Sequence, residues 1–308
     1  MAASLMALVQ SSTPVATLTC DRGCLKKALD QYLSAVIRHD PAAAPLAVGF
    51  RQTENAVVVR PGAGMWKTAT GLGKVQRRYA DPVSSQVGYF GVIDEGASSA
   101  IVTVRLRVDR QRISEAEWFI ARKGDPGLNG PQQPGQSPGN FFDPDNLALN
   151  PPPEKAKSPL RLSRESMVAV TNSYFDGITA HDGSIILAHP GCPRLENGTT
   201  VTGRAAGPGA VTDCTSNLQT INVEMVAARR YPIVDQDAGV VLGLGIFIRK
   251  PGTALRRNVL SEWFAIDDEK IRSIYSAMFY PSPDVPAPNW PPYDGNWPLH
   301  PSLAPPAQ

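Results

Sequence analysis

A short pattern occurs twice in this chain, and the repeat constrains the fold more than any other feature of the sequence. Residues Tyr32–Asp40 read YLSAVIRHD, and residues Tyr174–Asp182, 142 positions later, read YFDGITAHD. The same spacing, without a gap, separates Glu54-Asn55 from Glu196-Asn197. Internal similarity on this scale is typical of a duplicated domain. The sequence therefore predicts two tandem copies of one unit.

A third pair of segments extends the comparison near the end of each copy. SEAEWFIARK, Ser114–Lys123, and LSEWFAIDDEKI, Leu260–Ile271, place Glu117-Trp118 opposite Glu262-Trp263 at a spacing of 145. We therefore expect the two Glu-Trp pairs to occupy equivalent positions in the two copies.

Length and loop-forming residues define the predicted domains. A chain of 308 residues accommodates two domains of about 150 residues each. Between the copies, Gly124–Pro159 is crowded with Gly, Pro, Asn and Gln, which favour turns and do not sustain a helix. We predict a leader (1–23), a first unit (24–123), a linker (124–160), a second unit (161–280) and a Pro-rich tail (281–308). Because the tail carries Trp290, Tyr293 and Trp297, we expect part of it to pack on a domain.

Hydrophobic periodicity gives the order of elements within each copy. Apolar residues first recur at helical spacing, at Leu25, Leu29, Tyr32 and Val36 and at Met167, Val170, Tyr174 and Ile178. Farther along, AIVTVRLRVD (100–109) and VVLGLGIFIRK (240–250) alternate with a period of two, which is typical of half-buried strands. The Glu-Trp-Phe segments and residues 85–95 and 221–235 are predicted as further strands. A helix followed by antiparallel strands predicts the α+β class.

Composition limits the classes of binding partner and indicates the cellular compartment. A net charge of +2 with mixed signs excludes a strong nucleic-acid footprint, and no run approaches the roughly 20 apolar residues of a membrane span. The four cysteines fall in local pairs, and we predict the disulfides Cys20–Cys24 and Cys192–Cys214 in a periplasmic or secreted protein. The apolar run Leu5–Val9 fits a trimmed export signal or a disordered leader. Four free thiols in a cytoplasmic protein are the alternative.

These residues together resemble the nuclear transport factor 2 superfamily, which also holds ketosteroid isomerases, scytalone dehydratase and SnoaL-like polyketide cyclases. The resemblance rests on a first helix ending in a polar turn, a first strand bearing a Glu, TGLGKVQRRYA (70–80) as a loop with a helix, and three long strands. YFDGITAHDGS, CPRLENG and RRYPIVDQDAGVVLG are similar to SnoaL-like proteins of bacteria and fungi that carry two units and are mostly uncharacterised. The resemblance covers residues 24–123 and 164–280.

The resemblance implies a fold and a site. Each unit is expected to be a curved antiparallel sheet wrapped on helices, a cone with an apolar pocket, and the two units are expected to pack sheet against sheet as a pseudo-dimer. In the isomerase relatives a carboxylate on the first strand moves a proton, and Glu54 and Glu196 fall at comparable places. Loss of hydration in such a pocket raises the pKa of a carboxylate and makes it an effective general base or acid. Alternatively, each Glu pairs with a nearby Arg, such as Arg194.

Histidine and tyrosine are further candidates. His39 and His181 follow the first helix of each copy, as proton carriers or as charges that stabilise a helix C-terminus. Tyr32 and Tyr174 lie on the apolar stripe, as core residues or as donors to an oxyanion. We expect the second copy to carry the activity because it holds the denser polar set of Tyr174, His181, His189, Arg194 and Glu196.

The predicted function is proton transfer without a cofactor, by a lyase, dehydratase or isomerase acting on a small aromatic or polyketide-like substrate. The alternative is a non-catalytic module that binds a small ligand or a protein. No metal is expected, because the His and Cys spacing matches no tight zinc pattern. The expected partner is a small apolar or aromatic ligand, with no nucleic acid and no membrane, and a homodimer is left open.

Overall fold

The computed structural model describes residues 20–131, 133, 140–156, 161–203 and 210–282. Most of the predicted leader, and the tail from residue 283 with its three aromatic residues, lie outside this range. No helix in the described ranges is long and apolar enough to cross a membrane.

The first half of the chain contains two helices and six strands, α1 (Arg22–Ile37), β1 (Leu46–Glu54), β2 (Val57–Val58), α2 (Met65–Thr68), β3 (Gly71–Asp81), β4 (Gln86–Glu95), β5 (Ser98–Asp109) and β6 (Arg112–Arg122). The second half contains α3 (Pro144–Leu149), α4 (Arg164–Ala180), β7 (Arg194–Glu196), β8 (Thr199–Thr200), β9 (Met225–Asp235), β10 (Val240–Ile248), β11 (Asn258–Asp267) and β12 (Lys270–Phe279).

Each half folds into a six-stranded sheet with the same strand order. The first sheet runs β2-β1-β6-β5-β4-β3 and the second β8-β7-β12-β11-β10-β9. In each sheet the first strand pairs parallel with the last, and the other neighbours are antiparallel. Buried residues of α1 and α4 form the core on the inner face of their own sheet. The predicted α+β class and the two tandem helix-wrapped units are confirmed, with one parallel strand pair in each sheet.

The two sheets pack face to face. Their outer faces contribute buried side chains to one shared core, among them Tyr79, Phe90, Leu242 and Trp263. Trp263 Nε1 donates a hydrogen bond of 2.9 Å to Thr103 Oγ1 on the other sheet. The predicted pseudo-dimer is confirmed, because the apolar outer faces exceed what one helix per unit covers.

Two ion pairs cross between the units in a reciprocal way. Arg22, at the start of α1, donates to Asp235 at the end of β9 over 2.7 and 2.6 Å. Arg164, at the start of α4, donates to Asp81 at the end of β3 over 2.7 and 2.8 Å. Both carboxylates are buried, and each also accepts a hydrogen bond from a backbone amide of the other unit. The contacts therefore have the form of a twofold interface.

Two segments differ from the sequence prediction. Residues 70–80, expected to be a loop with a helix, lie almost entirely in strand β3. Val75 and Tyr79 are four residues apart, a spacing that fits both a helix and a strand, and pairing with β4 decides in favour of the strand. The predicted linker contains helix α3, which forms because Asp143 caps its first turn and Leu147 enters the shared core.

The two Glu-Trp pairs are not equivalent. Glu117 and Trp118 lie on β6, the last strand of their unit, whereas Glu262 and Trp263 lie on β11, the strand before the last. Trp118 is part of the core of the first unit, whereas Trp263 is part of the shared core between the sheets. The matching letters at a spacing of 145 therefore have no structural counterpart.

Both predicted disulfides are confirmed. Cys20, which precedes α1, bonds Cys24 in the first turn of that helix. Cys192 bonds Cys214 in the second unit. The chain's four cysteines are accounted for by these two bonds.

Candidate functional site

The repeated His-Asp pairs build the turn that ends the first helix of each unit. His39 and His181 both have a φ of 57°, in the left-handed region that terminates a helix. Each ring Nδ1 lies near a backbone carbonyl oxygen, at 2.6 Å for His39 and 3.0 Å for His181. Asp40 and Asp182 each accept a hydrogen bond from the amide two residues on, which starts a short 3-10 turn. The structure thus places both histidines at a framework turn.

The asparagine of each repeated Glu-Asn pair has a structural role. Asn197 is fully buried, and its side chain bonds both the carbonyl and the amide of Met278 on β12. Asn55 bonds both backbone groups of Ile120 on β6 in the same way. The asparagine therefore ties the first strand of each unit to the last. Asn197 opens the sequence Asn-Gly-Thr, but its burial leaves no room for a glycan in the folded protein.

His189 belongs to a separate ion-pair cluster. Its Nε2 lies 2.5 Å from Asp267 Oδ1, and Arg272 donates to the same carboxylate over two distances of 3.0 Å. Burial raises the pKa of Asp267, but the hydrogen bonds from Arg272 and His189 outweigh it and hold the pKa below its ordinary value. His189, Asp267 and Asp268 could reach one metal ion. The guanidinium already bonded to Asp267 opposes a cation there.

The polar groups inside the first cone form a closed network. Tyr32 Oη donates to Gln52 Oε1 over 2.9 Å and accepts from Trp118 Nε1 over 3.0 Å. Trp66 Nε1 donates to the same Gln52 oxygen over 2.8 Å, and Gln52 Nε2 donates to Glu54 over 3.2 Å. Every member has a partner, and two indole rings occupy the interior of the cone.

Glu54 ends this network. It accepts a further hydrogen bond of 2.8 Å from the backbone amide of Met65. Burial raises its pKa above the ordinary value, although that hydrogen bond and the charge of Arg122 lower it. At Gly64 φ is +59° and a Cβ would lie 2.2 Å from Glu54 Oε2, so a larger residue would strain the backbone and displace the carboxylate.

The equivalent positions in the second cone hold charged groups. Arg194 stands on β7 where Gln52 stands on β1, and its NH1 donates to Tyr174 Oη over 2.5 Å. Its NH2 lies 2.7 Å from Glu196 Oε1. The structure therefore brings together three of the five residues predicted for the second copy. His181 and His189 lie elsewhere, as described above.

Strand register adds a residue that the sequence analysis did not select. Glu196 pairs with Ser276 on β12, and Ser276 pairs with Glu262 on β11. Residues paired across neighbouring strands point to the same face, with about 4.8 Å between strands. Glu196, Ser276 and Glu262 thus form one row across three neighbouring strands. The equivalent row in the first unit consists of Glu54, Trp118 and Val104. In the second unit a serine thus replaces the tryptophan and a carboxyl group replaces the valine.

Glu262 has the electrostatics of a functional acid. Burial raises its pKa from 4.5 to about 8, with Arg194 lowering the pKa and Glu196 raising it. The side chain is 1% exposed, and its Oε2 accepts no hydrogen bond from any described residue. Arg194 Nε is likewise buried and has no acceptor among them. Such groups are rare in folded proteins and need a physical explanation.

The cluster connects an apolar interior to the surface. Phe264 contacts the Tyr174 ring edge-on with 5.5 Å between centroids, and Phe175 packs against both rings. The side chains of Arg194 and Glu196 are 16% and 13% exposed, respectively, whereas Glu262 lies deeper. The described residues thus bring one carboxyl group and two hydrogen-bond donors, Arg194 and Tyr174, to the edge of an aromatic cluster.

Glu262 was missed because the Glu-Trp match paired it with the wrong residue. Glu117 lies on the other face of its sheet, where Arg105 and Arg230 bond its carboxylate over 2.6 and 2.8 Å. A usable signal was present in NVLSEWFAID, residues 258–267, where Leu260, Glu262 and Phe264 alternate with another apolar set. An acid at an alternating position of a strand with two apolar faces indicates a buried carboxyl group.

Comparison with known proteins finds solved structures and a family model that match parts of the chain. No curated protein matches the chain. A solved structure from Kribbella flavida, provisionally named a ketosteroid isomerase, is 14% identical and covers 40% of this chain and 84% of its own, with a TM-score of 0.29. A Methylobium petroleophilum protein of unknown function with a cystatin-like fold is 15% identical and covers 47% of this chain and 99% of its own, with a TM-score of 0.29. Residues 160–278, which contain nearly all of the second unit, match the family described as a domain of unknown function, DUF8021.

Proposed function

We propose that the second unit catalyses a proton transfer without a cofactor, as a lyase, dehydratase or isomerase acting on a small aromatic or polyketide-like molecule. The observation that supports it is the contrast between the two cones. In the first cone the polar groups form a hydrogen-bond network in which every member has a partner. In the second cone Arg194 Nε and Glu262 Oε2 have no partner among the described residues. Tyr174 Oη accepts from Arg194, and its own hydrogen has no acceptor in the described chain.

These groups have distinct roles in the proposed reaction. The Glu262 carboxylate removes a proton from the carbon next to a substrate carbonyl group. The electron pair moves to the carbonyl oxygen, where Arg194 and Tyr174 donate hydrogen bonds to the oxyanion. The protonated Glu262 then returns its proton, either to another carbon in an isomerisation or to a leaving hydroxyl group in a dehydration.

Glu196 has a supporting role in this scheme. Its ion pair with Arg194, 2.7 Å long, holds the guanidinium beside Tyr174. The proton is thus assigned to Glu262, because the pKa of about 8 lets this group change protonation near neutral pH. We further propose that the protein is periplasmic or secreted, since disulfides persist in oxidising compartments.

The test is a panel of aromatic and polyketide-like ketones and alcohols, followed by absorbance without added cofactor. Glu262→Gln should lower turnover by about 10²–10⁴, the usual contribution of a positioned general base. The exposed Glu224→Gln is the matched control and should keep full activity. In the wild type, kcat/KM should rise with pH through about 8, where Glu262 ionises.

Two results would contradict the proposal. Loss of activity in Glu54→Gln, with Glu262→Gln unaffected, would place the reaction in the first cone. Saturable binding of panel compounds without turnover at any pH would identify a non-catalytic binding module instead.

A further inference from the structure

We infer that the disulfide Cys192–Cys214 is the positioning element of the second cone, holding the short strand that carries Arg194 and Glu196. The functional part of this inference rests on the proposed function, because that proposal gives Arg194 its role. The positioning part rests on geometry alone.

The first strand of each unit pairs with the last strand on both sides of a gap. Strand β1 pairs with β6 at Leu46 and again from Arg51 to Glu54, with a register shift between them. In the second unit Ala188 forms an isolated bridge with Ile271 on β12, and pairing resumes at Arg194, Leu195 and Glu196 of β7. The position of the short strand β7 therefore depends on what holds the chain in this gap, residues 189–193.

The disulfide lies in this gap. Cys192 is two residues before Arg194, and the amide of Cys214 donates to the carbonyl of Cys192 over 2.9 Å. Both cysteines are buried, at 1% and 2% exposure. The backbone of Arg194 is held in addition by Thr202, because the Arg194 amide donates to Thr202 Oγ1 over 3.0 Å. The covalent bond therefore fixes the chain at the point where it enters β7.

The guanidinium needs this support because its contacts come from different elements. Arg194 bonds Tyr174 on α4 and Glu196 on its own strand, and it lowers the pKa of Glu262 on β11. Hydrogen bonds weaken steeply when the donor moves out of line or beyond about 3.5 Å. A shift of β7 by about 1 Å would therefore break the contact with Tyr174.

The experiment compares two double variants by NMR of arginine side chains. Cys192→Ser/Cys214→Ser removes the positioning disulfide, and Cys20→Ser/Cys24→Ser removes the other disulfide as the matched control. The Nε–H signal of Arg194, assigned with Arg194→Lys, should be sharp and slow to exchange in the wild type and the control. In the first variant its exchange should be more than about tenfold faster, as for a group opened to water. The indole signals of Trp66 and Trp118 in the first cone should not change.

An Arg194 signal that stays slow in folded Cys192→Ser/Cys214→Ser would overturn the inference and leave the disulfide a purely stabilising role. If that variant does not fold, the folded wild type is treated with a reductant and a mass-tagged alkylating reagent that identifies the opened bond. Opening of Cys192–Cys214 without faster exchange at Arg194 would overturn the inference equally. The signal reports on Arg194 directly, so failure of the proposed function would not alter this result.

Discussion

Replacing Glu262 with glutamine should change how the stability of the protein depends on pH. In the folded protein burial raises the pKa of Glu262 to about 8, against 4.5 for an unperturbed glutamate. The folded state therefore holds a proton that the unfolded chain has released, throughout the range between these two values. Since stability falls with pH wherever the folded state binds more protons, Glu262 destabilises the protein progressively from about pH 4.5 to about pH 8.

The size of this effect follows from the shift. One pKa unit corresponds to about 1.4 kcal/mol, so the full shift of Glu262 corresponds to roughly 5 kcal/mol across the range. Glutamine does not ionise, and its contribution is constant. Glu262→Gln should thus have a free energy of unfolding similar to that of the wild type near pH 5 and higher than the wild type at pH 9, by an amount of that order.

Urea unfolding at pH 5, 7 and 9, followed by tryptophan fluorescence, measures the difference directly. Glu224→Gln, at an exposed position, controls for the loss of one carboxylate and should run parallel to the wild type. Parallel stability profiles for Glu262→Gln and the wild type would show that the carboxyl group is not desolvated. That result would remove the basis for assigning it the proton.

Three further predictions concern single positions. Ser276→Trp introduces the residue type that the first cone has at the equivalent position, Trp118. This variant should lose the binding of small aromatic ligands in fluorescence titrations, while circular dichroism shows a retained fold. Arg164→Ala leaves the buried carboxylate of Asp81 without its guanidinium and should cost about 3–5 kcal/mol in urea unfolding; Arg164→Ala combined with Asp81→Asn should recover part of this, and no recovery would contradict the ion-pair argument. Gly64→Ala should lower the Tm by several degrees, because its Cβ would lie 2.2 Å from Glu54 Oε2, and an unchanged Tm would refute the close approach.

The repeat made much of the architecture predictable. Tyr32 and Tyr174 lie on the same helix face in both units, and the apolar periodicity predicted both helices. The cysteine pairs were predictable because each pair is local in sequence. Local signals of this kind depend on neighbouring residues and survive without knowledge of the tertiary fold.

The site was only partly predictable, because its key contacts depend on register. Arg194 and Glu196 are two residues apart, so a strand puts them on one face, and the structure has them paired. Glu262 reaches the same row only through the pairing of β7 with β12 and of β12 with β11. The three-residue match Glu-Trp-Phe assigned Glu262 to the wrong strand, because a short match carries no information on which strands are neighbours.

The reciprocal ion pairs of Arg22 with Asp235 and of Arg164 with Asp81 have an evolutionary consequence. Contacts of this form are isologous, the kind that two identical subunits make about a twofold axis. In a homodimer every substitution appears in both subunits, so a tryptophan that closes one cone closes the other. Joining the two units in one polypeptide removes that constraint. The same interface can then hold one unit with Trp118 and one with Ser276, a difference between the two cones that a symmetric dimer of a single gene product cannot encode.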